Sequence, residues 1–125
     1  MRTYPKNLIT FFLIISKAMA VDIVKADGGW VIKSSDAGST GGLTRGSGAG
    51  VTISSAKDVM EFLTAVDKAA SGRTHYFTRS DGAPIKAYPS GRKTGSIVIE
   101  RSAGNWVRLS PSDAADLRMK LTRLS

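Results

Sequence analysis

Along residues 73–108, seven cations (Arg73, Arg79, Lys86, Arg92, Lys93, Arg101 and Arg108) interleave with His75, Tyr76, Tyr88 and Trp106, against two acids, Asp81 and Glu100. Flat side chains offer nucleobases a stacking surface and neighbouring cations neutralise phosphates, which is what holding a single strand without strict sequence preference requires. If these stretches are strands, side-chain alternation sets their faces. Lys86 and Tyr88 then share a face opposite Ile85 and Ala87, and Trp106 and Arg108 share one opposite Val107 and Leu109. The pair Arg92-Lys93, in a glycine-flanked loop, is placed to reach a backbone phosphate, and Trp30 with Lys33 extends the surface toward the N-terminal half. A plainer reading makes the large aromatics core residues and the cations solvated strand edges that oppose aggregation. For Trp30 and Phe77 the core reading is preferred; for Tyr88 and Trp106 both stay open.

Other chemistry finds less support. Cysteine is absent, which excludes thiolate metal sites and cysteine catalysis, and the one histidine, His75, has no nucleophile or orienting acid visible in the chain pattern. Gly46-Ser47-Gly48-Ala49-Gly50 and Gly91-Arg92-Lys93-Thr94 lack the spacing of a phosphate-cradling Walker loop. Asp113 and Asp116 fit the positive end of a helix better than an acid–base pair. We therefore expect no enzyme, no cofactor and no metal.

The elements that would position these residues are read from pattern. Ser96–Arg101 and Trp106–Leu109 are strand-like and joined by the turn 102–105, and a helix follows directly. Ser110 caps that helix, Pro111 fits its first position, Asp113 completes a Ser-x-x-Asp box, and Ala114, Leu117, Leu121 and Leu124 line one face. Earlier, Val21 and Ile23 with their neighbours form a strand that turns at Asp27-Gly28-Gly29 into the strand Trp30–Lys33. The glycine-rich segment 36–50 is expected to be a mobile loop with at most one weak strand near Leu43. Val51–Ile53 then leads through a second Ser-x-x-Asp box, Ser55 to Asp58, into a helix with Val59, Phe62, Leu63 and Val66 on one face, ended by Gly72. Thr74–Arg79, the turn 80–83 and Ile85–Tyr88 form another hairpin.

This order occurs twice. The Asp-Gly turns at 27 and 81 lie 54 residues apart and the capping serines 55 and 110 lie 55 apart. We expect an α+β fold of antiparallel sheets with two helices, built from two tandem β-β-(β)-β-α units: 21–72, containing the Gly-rich loop 36–50, and 73–125.

The 125 residues suit a single core without disulfide or metal staples. The formal charge of +8 is unevenly spread: +3 over 1–20, −1 over 21–72 and +6 over 73–125. Such asymmetry usually marks a solvated basic surface, but in a small domain with pI near 10 it also points toward a nucleic-acid or anionic-membrane partner. Residues 1–20 form an apolar leader, in which Arg2 and Lys6 precede the run 8–15 and Ala18-Met19-Ala20 has the small-x-small form of a signal-peptidase site. Lys17 interrupts that site. A cleaved export signal, an upstream extension before a start at Met19, a helix packed on the domain and an organelle address all remain open, whereas the run is too short for a transmembrane helix.

Strand-rich units closed by one helix and present twice resemble PUR repeats, the Whirly proteins and the C-terminal domain of positive-cofactor-type transcriptional coactivators. Gly29-Trp30-Val31-Ile32-Lys33 is similar to the second strand of a PUR repeat, and Thr52-Ile53-Ser54 leading to Val59-Met60-Glu61-Phe62 to its last strand and helix. Trp106-Val107-Arg108-Leu109-Ser110 looks more like the coactivator pattern. The first unit's third strand is nearly absent, and Leu117-Arg118 stands where a Glu-Phe pair would be. The resemblance implies binding of single-stranded DNA or RNA, assembly as a homo-oligomer and an intracellular, nucleic-acid-containing compartment. Two further readings belong to other classes: an exported, periplasmic or virion β-rich interaction protein, and an inhibitor whose basic face meets an acidic protein partner.

Overall fold

The computed structural model describes residues 21–39 and 50–125. The leader 1–20 and the expected strand near Leu43 lie outside the described residues.

The fold is α+β, with two antiparallel sheets and two helices. Strands β1 (Val21–Ala26) and β2 (Gly29–Ser34) form the first hairpin, turned by Gly28 at φ 76°, a left-handed conformation that glycine adopts without a Cβ clash. With β4 (Val51–Ile53) they make a three-stranded sheet of order β1-β2-β4. The larger sheet has five strands in the order β3-β8-β7-β6-β5: β3 (Ala37–Ser39), β5 (His75–Thr78), β6 (Pro84–Pro89), β7 (Ile97–Arg101) and β8 (Asn105–Leu109).

The presence of β3 in this sheet departs from the sequence reading. Residues 37–39 fall within the segment expected to be a mobile loop, yet Ala37 is fully buried and pairs with Val107, while Gly38 pairs with Trp106. The chain crosses between the sheets at Ser34–Asp36. There Ser34 Oγ donates to the Arg108 carbonyl at 3.0 Å and accepts from the Asp36 amide, and the Arg108 amide donates to the Asp36 carbonyl at 2.8 Å. These bonds satisfy backbone groups that a buried crossing would otherwise strand. Each half runs through four strands into a helix, but the two sheets do not divide along the halves, since β3 of the first half pairs in the sheet of the second.

Helix α1 (Val59–Ala70) follows a single 3-10 turn at Ala56–Asp58. Its entry also differs from the expected capping box. Ser55 Oγ accepts from the Lys57 amide, and Asp58 is buried, its carboxylate taking hydrogen bonds from Ser54 Oγ at 2.7 Å and from the Ser80 amide and hydroxyl at 2.9 and 2.8 Å. The acid spends its lone pairs fastening α1 to the β5–β6 turn. Helix α2 (Pro111–Leu124) starts as expected, with Ser110 Oγ accepting from the Asp113 amide at 3.2 Å.

Helix α1 packs on β5, β6 and β7 and against α2, which rests on β1 and β8. Between them and the sheets lies one core that includes Ile32, Ile53, Phe62, Ile85, Ile97, Ile99, Val107, Leu109, Leu117 and Leu121. Phe77 meets Phe62 edge to face, with centroids 5.0 Å apart, and Trp30 packs partly buried against the same core, as the plainer reading of both residues had it. Gly29 marks where β2 runs closest to β4: a Cβ there would overlap the Ile53 carbonyl oxygen. A backbone atom inside a sheet cannot step aside, so Gly29→Ala is expected to lower stability by about 2 kcal/mol, read as a shift in the urea midpoint with an unchanged slope.

Candidate nucleic-acid interface

Pairing in the five-stranded sheet aligns residues across strands. Tyr76 is opposite Lys86, Lys86 opposite Glu100, Glu100 opposite Trp106 and Trp106 opposite Gly38, so these five form one row running across the sheet. A second row contains Tyr88, Val98 and Arg108. Opposed residues point to the same side, so both rows occupy the face turned away from the helices, while Phe77, Ile85, Ala87, Ile97, Ile99, Val107 and Leu109 fill the other. With neighbouring strands about 4.8 Å apart, Tyr76 and Trp106 stand roughly 14 Å from each other along the row.

The outer face is pre-organised by its own contacts. Tyr88 Oη donates to Glu100 Oε1 at 2.7 Å, and the Lys86 ammonium stands 4.7 Å from the Tyr88 ring centroid and 3.8 Å from Glu100 Oε2. Burial, helped by the bond to Glu100, pushes the Tyr88 hydroxyl up to about 12. Arg108 lies 5.1 Å from the Trp106 ring centroid and donates to Asp36 Oδ2 at 2.9 Å, a carboxylate that Lys93 also approaches at 3.8 Å. The indole of Trp106 rests on β3 where Gly38 leaves room, since a Cβ there would come within 2.7 Å of Cζ2. Tyr76 is 70% exposed.

Not every cation of the sequence reading lies on this face. Arg79 shares strand parity with His75 and Phe77, is buried, donates through Nε and Nη2 to both oxygens of Asp81 at 2.7 Å, and donates through Nη1 to the Thr52 carbonyl at 2.9 Å. Its guanidinium is used up inside the fold and is unavailable to phosphate. His75 is on the helix-facing side, with Nε2 3.2 Å from Glu61 Oε1 of α1. Arg101 ends β7 on the parity of Ile97 and Ile99, at the opposite end of the sheet from the 90–96 loop. Trp30 and Lys33 are on the three-stranded sheet and, an odd number of residues apart, on opposite faces of it. Lys25, rather than Lys33, sits over the Trp30 ring, at 5.2 Å.

Arg73, Arg92 and Lys93 gather by topology at the end of the sheet where β6 hands over to β7, and all three are exposed. Among the described residues, Arg73, Arg92 and Arg101 carry no ion pair. Tyr76, one of the interleaved aromatics, and Glu100, read from sequence only as an opposing acid, both occupy the central row. The alternation that placed Lys86 and Tyr88 would have found both, and would have set Arg79 and His75 aside.

The chain matches no protein-family model, no curated protein and no solved structure. The resemblance to PUR, Whirly and coactivator proteins therefore gains no support from comparison. Among the described residues no helix is long and apolar enough to cross a membrane, and no group of three or more His, Asp or Glu has metal-binding geometry.

The Arg79 clamp has a pH signature. Its hydrogen bonds to Asp81 are the main reason that this carboxyl falls from 3.8 to about 2. A depressed folded pKa gives stability that is complete above about pH 5 and is lost as pH falls through 3.8 to below about 2. Acid titration of Asp81 by carboxyl NMR should have its midpoint near pH 2, and Arg79→Met should return that midpoint to the ordinary aspartate range.

Proposed function

We propose that this protein binds single-stranded nucleic acid, DNA or RNA, on the outer face of its five-stranded sheet. The observation that carries the reading is the row Tyr76–Lys86–Glu100–Trp106, in which two aromatics and a cation occupy one side of a sheet whose other side is committed to the core. Tyr76 and Trp106 supply stacking surfaces, Lys86 and Arg108 flank them, and Arg73, Arg92 and Lys93 attract phosphates at one end. Lys86 and Arg108 already face carboxylates, so stacking rather than charge contributes most of the affinity.

That balance makes the reading testable. Fluorescence anisotropy with single-stranded and duplex oligonucleotides over a salt series should give tighter single-strand binding. With about three phosphates neutralised, log K should fall against log[salt] with a slope of about −2. Equal affinity for both forms, with a slope steeper than about −5, would reduce the surface to unspecific electrostatics and overturn the proposal.

A further inference from the structure

Beside the central row is a cavity of about 160 Å³ lined by Tyr76, Pro84, Ile85, Lys86, Glu100 and Ser102. It has an aromatic wall in the exposed Tyr76, apolar surface from Pro84, and two charged groups of opposite sign at one side. Glu100 is an unusual residue for a surface that meets phosphates, because a carboxylate repels them. Its lone pairs suit the N–H groups of a base instead.

The geometry points to a base-reading pocket that selects guanine. This inference rests on the single-strand reading above and names the base that the same face prefers. Glu100 Oε1 accepts one hydrogen bond, from Tyr88 at 2.7 Å, which fixes the carboxylate in place. An ionised carboxylate offers about four acceptor sites, so most of its capacity is unspent. Lys86 Nζ stands 3.8 Å from Oε2, outside hydrogen-bond range, and donates to no protein acceptor among the described residues. An ammonium donor beside a carboxylate acceptor is the complement of the guanine Watson–Crick edge, where the O6 acceptor is followed by the N1–H and N2–H donors.

No other base fits as well. Cytosine and adenine offer the carboxylate one amino donor and the ammonium one acceptor, N3 or N1, two contacts where guanine makes three. Thymine and uracil offer one N–H flanked by two carbonyl oxygens, the second of which meets Glu100. Base edges are open to such contacts in unpaired strands, where a base can turn out and stack on an aromatic side chain, here Tyr76.

The test is anisotropy of a short oligo(dT) strand and of the same strand with its central base changed to G, A or C, which avoids guanine quadruplexes. Wild type should bind the G strand about fivefold or more tightly than oligo(dT), with A and C near the oligo(dT) value. Glu100→Gln puts an amide donor against the guanine donors and should bring the G to T ratio to about one, with an unchanged urea midpoint reporting an intact fold. Lys86→Met, which removes the O6 donor, should lower the ratio independently. A wild-type ratio near one, or a guanine preference that survives Glu100→Gln, overturns the pocket alone. Failure of wild type to bind any strand at low salt overturns the single-strand reading and the pocket with it.

Discussion

Arg79→Ala should lower stability by about 3 kcal/mol, the largest effect expected from changing any one cation among the described residues. The side chain is buried and makes three hydrogen bonds, two to Asp81 and one to the Thr52 carbonyl, so it ties the β5–β6 turn to β4 of the other sheet. Alanine would leave a void beside an acceptor without its donor and remove the partner of Asp81. The carboxylate itself is partly solvated, with 45% of its side chain exposed, and regains water, which keeps the cost at the lower end for a broken buried pair. Lysine should recover little of the loss, because a single ammonium cannot reproduce a planar fork that reaches two carboxylate oxygens and a carbonyl together. Urea denaturation of Arg79→Ala, Arg79→Lys and the exposed control Arg92→Ala measures this. A loss below about 1 kcal/mol for Arg79→Ala would show that the clamp is not structural.

The second large effect concerns binding. Tyr76→Ala combined with Trp106→Ala should weaken single-strand affinity on the order of a hundredfold, since each stacked base contributes about 1–3 kcal/mol. Neither side chain belongs to the buried core, so the melting midpoint of the double variant should stay within a few degrees of wild type. Anisotropy at fixed salt reads the affinity, and a change of less than about threefold with the fold intact would remove the sheet face as the binding surface. Each single variant should account for roughly half of the loss in free energy, because the two residues are separated by two intervening strands.

Much of this arrangement was readable in the chain. Strand alternation put Lys86 with Tyr88 and Trp106 with Arg108, and turn and capping residues set the three hairpins and the start of α2. What escaped was non-local. Ala37-Gly38-Ser39 has no apolar alternation, and it is a strand only because Val107, Trp106 and Asn105 present a free ladder to it. Arg79 has the composition of a phosphate ligand, and its burial depends on Asp81 across a turn and Thr52 on another strand, of which only the first is local. The Ser55–Asp58 box has the spacing of a cap, but Asp58 found better donors in Ser54 and Ser80, the latter from a turn 22 residues on. Glu100 read as one of two acids diluting a basic stretch until cross-strand register set it beside Lys86 and Tyr88.

The strand lent by the first half also sets a timetable for the chain. β3 cannot pair until β8 exists, some seventy residues later, so its closure has to follow an entropic search over most of the molecule. During synthesis the N-terminal strands emerge long before their partner, and the small sheet must wait, half-sheltered, for the larger one to complete its core. A break between residues 72 and 73 would therefore yield two fragments that each carry part of one sheet, and their natural route to structure would be to find one another.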